Sequence, residues 1–150
     1  MRVLLQRVGR ASVRIDGATV AGIGQGLLAF VGVARGDDEG TADAMARRVA
    51  ELRIFADEAG RTNRSILDVG GSALVVSQFT LLADTSRGRR PGFTRAARPD
   101  LADALYRRFA DALRGAGVRD VRTGRFGEVM AVELVNDGPF TIWLDSAERR

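Results

Sequence analysis

The 150-residue chain is predicted to fold as a single α/β domain, in which a mixed β-sheet curls into a barrel-like core with two flanking helices. The apolar patterns along the chain follow the order strands, helix, strand, helix, strands. An early hairpin favours antiparallel pairing, and the later connections are long enough for crossovers. No linker or low-complexity tract divides residues 1–150, and this length suits one domain with its own core.

Short strands joined by tight turns are predicted for the first part of the chain. Val3 to Gly9 and Ser12 to Ile15 alternate between apolar and polar residues, which predicts two strands. Asp16-Gly17, a dipeptide typical of hairpin turns, leads into a further strand from Ala18 to Ile23. Leu27 to Val33 is almost continuously apolar and is predicted to be a buried strand.

Two segments have helical spacing. The first begins at the acidic residues 37–39, which suit the positive end of a helix, and either Asp38 or Thr41 could cap it. The second begins at Pro99, since proline is favoured in the first turn, and is expected to end near Gly115. The apolar positions that define the two faces are Ala42, Met45, Ala46, Val49 and Leu52, and then Leu101, Leu105, Phe109 and Leu113.

The remaining segments are predicted to be loop or strand. Asp57 to Arg64 is polar and rich in turn-forming residues, which indicates a surface loop. The predicted strands are Ala73 to Val76, Val118 to Thr123, Val129 to Val135, and Phe140 to Leu144.

The composition limits the chemistry that this chain could perform. It has no His and no Cys, and all 23 basic residues are arginine. The commonest general base and the thiol nucleophile are therefore absent, and catalysis would depend on hydroxyls, backbone amides, carboxylates or groups of the substrate. No apolar run approaches the roughly 20 residues of a membrane span, and the first residues lack the apolar region of a signal peptide. We expect a cytoplasmic protein without a membrane partner.

Arginine is concentrated in two stretches that contain no acidic residue. The arginines of these stretches are Arg2, Arg7, Arg10 and Arg14, and then Arg87, Arg89, Arg90, Arg95 and Arg98. Guanidinium groups bind phosphate in a bidentate manner, so the clusters are compatible with an RNA or nucleotide partner. A codon usage that favours arginine would explain the absence of lysine, and the charge alone does not decide between the two interpretations.

Two short motifs follow apolar strands at the point where each strand ends, Ser77-Gln78-Phe79-Thr80 and Gly138-Pro139-Phe140-Thr141. One interpretation of the first motif is a strand edge whose hydroxyls satisfy local hydrogen bonds. The other is an oxyanion site of backbone amides, with Thr80 positioning water or acting as the nucleophile. Because a threonine nucleophile needs a nearby base, and the chain has neither Lys nor His, the backbone-amide version is favoured.

The second motif places a proline inside a strand pattern. Proline cannot donate to a β-ladder, so Gly138-Pro139 is predicted to lie at an edge, a bulge or a turn. On residue types alone a trans bond is expected, since only about 5–6% of X–Pro bonds in folded proteins are cis.

The whole chain resembles the D-aminoacyl-tRNA deacylases of the bacterial and eukaryotic type, also called D-tyrosyl-tRNA deacylases. The matching motifs occur in order from the first residues to the last. They are Met1-Arg2-Val3, Gln6-Arg7-Val8, Asn63-Arg64-Ser65, Val75 to Leu81, Ala83-Asp84-Thr85, Gly88-Arg89-Arg90-Pro91, Gly124-Arg125-Phe126-Gly127, and Asn136 to Thr141. Phe140, where the family often has Val, and Gly92, where Ser is common, are mild departures.

The resemblance implies hydrolysis of the ester in D-aminoacyl-tRNA, or in glycyl-tRNA mischarged on alanine tRNA, with release of free tRNA. It implies catalytic roles for Ser77, Gln78, Phe79 and Thr80, an oxyanion site of backbone amides, and help from the 2′-hydroxyl of the substrate. Neither a metal nor an organic cofactor is implied. The alternatives are a hydrolase that uses Thr80 as its nucleophile and a non-catalytic barrel that binds RNA or peptide.

The resemblance also implies a homodimer and a cis Gly138–Pro139 bond. Gly138 and Pro139 of one subunit would reach the active site of the other, where backbone carbonyls hold the amino group and leave no space for an L side chain. The nucleic-acid partner would be tRNA and not DNA. The candidate tRNA-binding residues are Arg7, Arg87, Arg89, Arg90 and Arg95.

Overall fold

The computed structural model describes residues 1–148, which form one six-stranded mixed sheet, a small two-stranded sheet and three α-helices. The strands are β1 (Arg2–Ile15), β2 (Ala18–Ile23), β3 (Gly26–Gly32), β4 (Phe55–Ala56), β5 (Thr62–Arg64), β6 (Ser72–Ser77), β7 (Val121–Thr123) and β8 (Ala131–Asp145). The helices are α1 (Glu39–Glu51), α2 (Ile66–Val69) and α3 (Pro99–Gly115). None of these helices is both long enough and apolar enough to cross a bilayer.

Strand β1 is the centre of the sheet and pairs antiparallel with β2, β3 and β8. Strands β2 and β3 lie end to end along it in one register, with Ala11 opposite Ile23 and Val8 opposite Gly26. The two strands predicted before residue 16 are therefore one continuous strand, because its partner continues past the break. The turn between β1 and β2 was correctly predicted, and Asp16 (φ 49°) and Gly17 (φ 80°) both have the positive φ of a tight hairpin.

The strands beyond β3 pair in parallel. Strand β3 pairs with β6, and β6 pairs with β7, so both connections are crossovers that contain a helix. Helices α1 and α3 pack on one face of this sheet and form the larger core with residues such as Met45, Val49 and Phe109. The opposite face is partly enclosed by β2 and the first half of β8, which makes the smaller core around Leu28 and Leu74. The sheet is thus nearly closed, as the barrel-like prediction required.

Both predicted helices are present, and one apolar position is placed differently. Asp38 rather than Thr41 caps α1, because its carboxylate accepts a hydrogen bond from the Thr41 backbone N–H at 2.7 Å. Leu101 was predicted to face the core but is 36% exposed, and buried Tyr106 fills part of that face instead. A third helix, the single turn α2, was not predicted and is stabilised by a Ser65–Asp68 capping box.

Strand β8 is longer than predicted. The two segments expected from Val129 to Val135 and from Phe140 to Leu144 form one strand, because β1 continues to pair with it on both sides of Gly138-Pro139. The predicted loop from Asp57 to Arg64 is also partly ordered, since its last residues form β5 and pair with β4.

Candidate active site

The first motif begins at the carboxyl end of the buried strand β6 and continues into a 3₁₀ turn, Phe79–Leu82. The Gln78 backbone N–H donates to Val31 O at 2.8 Å and fixes the start of this turn on β3. Within the described residues the next two backbone N–H groups, those of Phe79 and Thr80, donate to no acceptor. Both residues are exposed, so two adjacent backbone donors are available to a ligand.

Gly32 sets how closely this turn approaches the sheet. A Cβ atom at that position would lie 2.6 Å from Leu82 Cδ2 and 2.9 Å from the carbonyl oxygen of Gln78. These distances are shorter than van der Waals contact, so a larger residue would displace the turn. No sequence pattern indicated this role of Gly32.

The Thr80 hydroxyl has a neutral neighbour. The Gln78 carboxamide donates to Thr80 Oγ1 at 2.5 Å, and within residues 1–148 no other side-chain partner of this hydroxyl is present. A carboxamide does not accept a proton at ordinary pH. The arrangement orients the hydroxyl but supplies no general base.

A cavity of about 610 Å³ opens beside this motif. Three aromatic residues, Phe79, Phe93 and Phe126, line it together with Ser77 and Gln78. The rings of Phe79 and Phe93 meet edge to face, with centroids 4.9 Å apart. A mostly apolar cleft of this size with a few polar groups at one end is typical of small-molecule sites, and aromatic walls suit a nucleobase.

The second motif lies in a bulge of β8. Gln6 of β1 is opposite Thr141 and Val8 is opposite Asn136, so the intervening residues 137–140 face Arg7 without regular pairing. The Gly138–Pro139 bond is cis, as the resemblance implied, and Gly138 has φ 150°. Both residues are exposed.

Two side chains hold this bulge. Arg7 donates from Nε to Asp137 O at 2.9 Å, donates from a terminal nitrogen to Ile54 O at 2.5 Å, and places its guanidinium carbon 4.6 Å from the centroid of the Phe140 ring. On the other side, the Asn136 carboxamide oxygen accepts from the Phe140 backbone N–H at 2.6 Å. The backbone on both sides of Gly138-Pro139 is therefore tied to fixed groups.

The two motifs are apart within one chain. Ser77 is opposite Val31, which is opposite Val3, whereas the bulge is opposite Arg7. Following the sheet, the motifs are separated by three strand spacings, about 14 Å, and by four residues along the strands, about 13 Å. One chain alone does not bring the first motif and Gly138-Pro139 together through the sheet.

Comparison with known proteins gives the family. The family model described as D-Tyr-tRNA(Tyr) deacylase matches residues 4–145. The chain belongs to this deacylase family.

Individual relatives agree with this assignment. The chain is 64% identical over 150 residues to a D-aminoacyl-tRNA deacylase of Thermomicrobium roseum, covering 100% of this chain and 97% of the relative. It is 58% identical over 149 residues to the D-aminoacyl-tRNA deacylase of Paracoccus denitrificans, with 99% of each chain covered. The resemblance noted in the sequence is thereby confirmed.

Two solved structures have the same fold. One is described as a c-Myc DNA unwinding element binding protein, with 35% identity, a TM-score of 0.93 and coverage of 99% of this chain and 100% of that one. The other is described as a probable eukaryotic D-amino acid tRNA deacylase, with 18% identity, a TM-score of 0.83 and coverage of 95% and 97%. At that identity the second likeness shows the fold alone.

Four of the five predicted tRNA-binding arginines of this deacylase-family chain are exposed, namely Arg87, Arg89, Arg90 and Arg95. The first three lie in a loop that is closed by two backbone hydrogen bonds between Asp84 and Gly92, of 2.7 and 2.9 Å. The hydroxyl and backbone N–H of Ser86 donate to the Asp84 carboxylate and lower its pKa. Phe93 comes directly after this loop and lines the cavity, so the loop and the cavity are adjacent.

Arg7 differs from the other candidates. Its side chain is only 14% exposed, and its guanidinium is occupied by Asp137, Ile54 and Phe140. These contacts give Arg7 a role in holding the bulge, and its binding of tRNA stays a prediction. Asn136 and Phe93 have supporting roles that sequence reasoning missed, although Asn136 lies within a motif that carried the family resemblance.

Proposed function

We propose that this protein hydrolyses the ester that links a D-amino acid to the terminal adenosine of tRNA. The observation that carries the proposal is the pair of unoccupied backbone N–H groups of Phe79 and Thr80 beside an aromatic cavity, in a chain without His, Cys or Lys. Family membership supports the same reaction. Since aminoacyl-tRNA is made in the cytoplasm, the activity is placed there.

The reaction needs little from side chains because an aminoacyl ester is already activated. The terminal adenosine would occupy the cavity lined by Phe79 and Phe126. Water adds to the ester carbonyl carbon, and the two N–H groups stabilise the negative oxygen that forms. The neighbouring 2′-hydroxyl orients the water, or accepts its proton while passing its own proton to the 3′-oxygen, and the bond from the carbonyl carbon to that oxygen breaks. The products are the free D-amino acid and tRNA.

Chirality would be read by Gly138 and Pro139 of the partner subunit. Their backbone carbonyls would bind the amino group of the substrate and occupy the space that an L side chain needs. Every tenfold of selectivity requires about 1.4 kcal/mol, so rejection of the abundant L-aminoacyl-tRNAs requires several such increments. Glycine has no side chain to exclude, and glycyl-tRNA mischarged on alanine tRNA would therefore also be hydrolysed.

A homodimer would reconcile the separation of the two motifs with a single shared site. If one chain holds them apart, a complete site needs the bulge of a second copy, and a two-fold axis lets each subunit both give and receive it. A suitable apolar surface is present on the sheet. Trp143, which is 42% exposed, is opposite Leu4, and Leu4 is opposite Phe30, which places three large apolar side chains in one row.

The exposed arginines Arg87, Arg89, Arg90 and Arg95 would bind phosphates of the tRNA acceptor end. Contact with phosphate fixes position without reading sequence, which suits an enzyme that acts on many tRNAs. The nucleic-acid partner is thus proposed to be tRNA rather than DNA.

Deacylation of matched substrates tests the proposal. D-tyrosyl-tRNA, L-tyrosyl-tRNA and glycyl-tRNA are incubated with the protein, and the remaining ester is measured over time. The proposal predicts rapid loss of the D and glycyl esters and survival of the L ester. Equal hydrolysis of the D and L esters would contradict the chiral site. No hydrolysis of any ester would favour the non-catalytic barrel, and a stable acyl-enzyme detected by mass spectrometry would favour the Thr80 nucleophile.

A further inference from the structure

A second and larger cavity, of about 1250 Å³, lies next to the one assigned to the substrate. Its lining includes Arg35 and Arg95, which belong to two paired segments because the Arg35 N–H donates to Arg95 O at 3.0 Å. The same two segments also line the smaller cavity, through Val33 and Ala97, whose backbones are joined by a 2.9 Å hydrogen bond. We call these two paired segments, residues 33–35 and 95–97, the strap. Adjacent residues of the strap therefore line two different cavities.

Four arginines converge on the larger cavity from separate elements. Arg35 comes from the loop before α1, Arg47 and Arg48 from the last turns of α1, and Arg95 from the loop before α3. Within residues 1–148 none of the four donates a side-chain hydrogen bond or lies within 4.0 Å of a carboxylate oxygen.

Arginines on the outer face of α3, by contrast, form ion pairs. Arg107 is bound to Asp103 at 2.9 Å, and Arg114 is bound to Asp111 at 2.6 Å. The same contrast applies to Arg122, which is bound to Asp120 at 2.6 Å. Other exposed arginines without such a partner in the described residues, among them Arg10, Arg53 and Arg119, lie elsewhere, but this one cavity brings four unpaired guanidinium groups together.

Most acids that line the cavity already have partners. Asp37 accepts from the Met1 ammonium and from the Ala34 N–H, and Asp145 accepts from Arg2 at 2.9 Å. The carboxylate of Asp38 caps α1. Among the acidic residues of this lining, Asp38 and Glu51 have no ion pair in the described part of the chain. The four converging arginines therefore exceed the acids that are available to neutralise them.

We propose that Arg35, Arg47, Arg48 and Arg95 bind backbone phosphates of the tRNA acceptor end, just before the adenosine that enters the smaller cavity. The proposal rests on the proposed function, since that function places the terminal adenosine in the adjacent smaller cavity. A strand of nucleic acid that leaves the smaller cavity over the strap meets these guanidinium groups next. Bidentate contacts between arginine and phosphate would hold it without reading bases.

The test compares two double variants that each remove two positive charges. Arg47→Gln with Arg48→Gln removes two unpaired arginines of the cavity, and Arg107→Gln with Arg122→Gln removes two paired ones elsewhere. Kd for uncharged tRNA is measured across a range of salt concentrations. The rate of hydrolysis is measured with D-tyrosyl-tRNA and with 3′-O-D-tyrosyladenosine, a small ester that carries no phosphate.

The cavity variant is expected to bind tRNA about tenfold or more weakly, and the slope of log Kd against log salt should fall by about 2, one for each lost phosphate contact. Its kcat/KM should fall with D-tyrosyl-tRNA and not with the small ester. The control should keep the wild-type affinity and slope. Arg35→Gln with Arg95→Gln, on the two loops, should repeat the result without any change in α1.

Unchanged affinity and slope in the cavity variant, or equal losses in the control, would overturn the proposal. The measurements also distinguish failure of the proposed function from failure of the phosphate site. If the wild type hydrolyses neither ester but its tRNA binding depends on the cavity arginines, the proposed function fails and the phosphate site stands. If the wild type hydrolyses both D-esters and the cavity variant behaves like it, the phosphate site fails and the function stands.

Discussion

The guanidinium carbon of Arg7 lies 4.6 Å from the centre of the Phe140 ring, and the same side chain donates to the carbonyl oxygen of Asp137 at 2.9 Å. One side chain on β1 thus fixes the residues on both sides of Gly138-Pro139. Rejection of an L side chain by backbone atoms requires that those atoms do not yield, so Arg7 bears directly on the proposed selectivity.

Replacement of Arg7 by Lys should relax that selectivity. Lysine keeps the charge but lacks the planar fork that contacts Asp137, Ile54 and Phe140 together. We expect the ratio of kcat/KM for D-tyrosyl-tRNA over L-tyrosyl-tRNA to fall about tenfold or more, equivalent to about 1.4 kcal/mol. Arg10→Lys, at an exposed position of the same strand, is the control. An unchanged ratio in Arg7→Lys would show that Arg7 does not contribute to this selectivity.

Gly32→Ala should disturb the active site while the fold survives. The new methyl group would lie 2.9 Å from Gln78 O and 2.6 Å from Leu82 Cδ2, so the 3₁₀ turn must move. Overpacking of this kind costs about 1–3 kcal/mol of stability, and a displaced turn should lower kcat by about 10²-fold. Gly24→Ala, where no atom lies within 4 Å of the new Cβ, should affect neither quantity. Wild-type kcat in Gly32→Ala would show that the turn need not be fixed.

Thr80→Ala separates the two mechanisms. If backbone N–H groups and the 2′-hydroxyl do the chemistry, the variant keeps every donor, and activity should fall about tenfold or less through lost positioning. A tRNA that ends in 2′-deoxyadenosine should in turn be hydrolysed poorly by the wild type. Full activity on the deoxy substrate, together with an inactive Thr80→Ala, would identify Thr80 as the nucleophile.

Acid should weaken the contact between α1 and α3. The hydrogen bond from the Arg108 guanidinium, at 2.6 Å, lowers the pKa of Asp43 in the folded protein. A lowered folded pKa gives stability that is present above the unfolded pKa of about 3.9 and is lost as pH falls through the folded value. Urea unfolding should therefore show Asp43→Asn as less stable than the wild type at pH 7, with the difference shrinking toward pH 2. A difference in stability that stays constant over this pH range would contradict a stabilising role for the Asp43–Arg108 ion pair.

Local patterns predicted most elements because spacing and caps are local properties. The α1 face and Pro99 at the start of α3 are examples. Strand β8 was predicted as two segments because Gly138-Pro139 breaks the local pattern, and β1 was predicted as two strands with a break after Gly9. The pairing that makes each of them continuous comes from distant strands.

The candidate site was predicted to a similar extent. The residues of both motifs were identified from the sequence, because each follows an apolar strand. The distance between the motifs depends on sheet register, and the close contact at Gly32 depends on packing, so neither could be read from the chain alone. Arg7 was placed among phosphate-binding residues because a sequence shows its charge but not its partners.

The central claim is that two motifs held apart in one chain form one site across two copies. It can be tested with two variants that are each expected to be inactive. Phe79→Pro removes one oxyanion N–H at the first position of the turn, where proline is tolerated because this N–H has no acceptor within the described residues. Gly138→Ala places a Cβ 2.8 Å from the Phe140 backbone nitrogen and strains a residue with φ 150°.

The decisive measurement is the deacylation of D-tyrosyl-tRNA by the two variants co-expressed in one cell, against each expressed alone. A mixed dimer carries one site with both motifs intact. Half of the dimers are mixed on random pairing, so the account predicts that about a quarter of wild-type activity returns. Activity no greater than that of the separate variants, in dimers shown to be mixed by two affinity tags, would contradict a site shared between subunits.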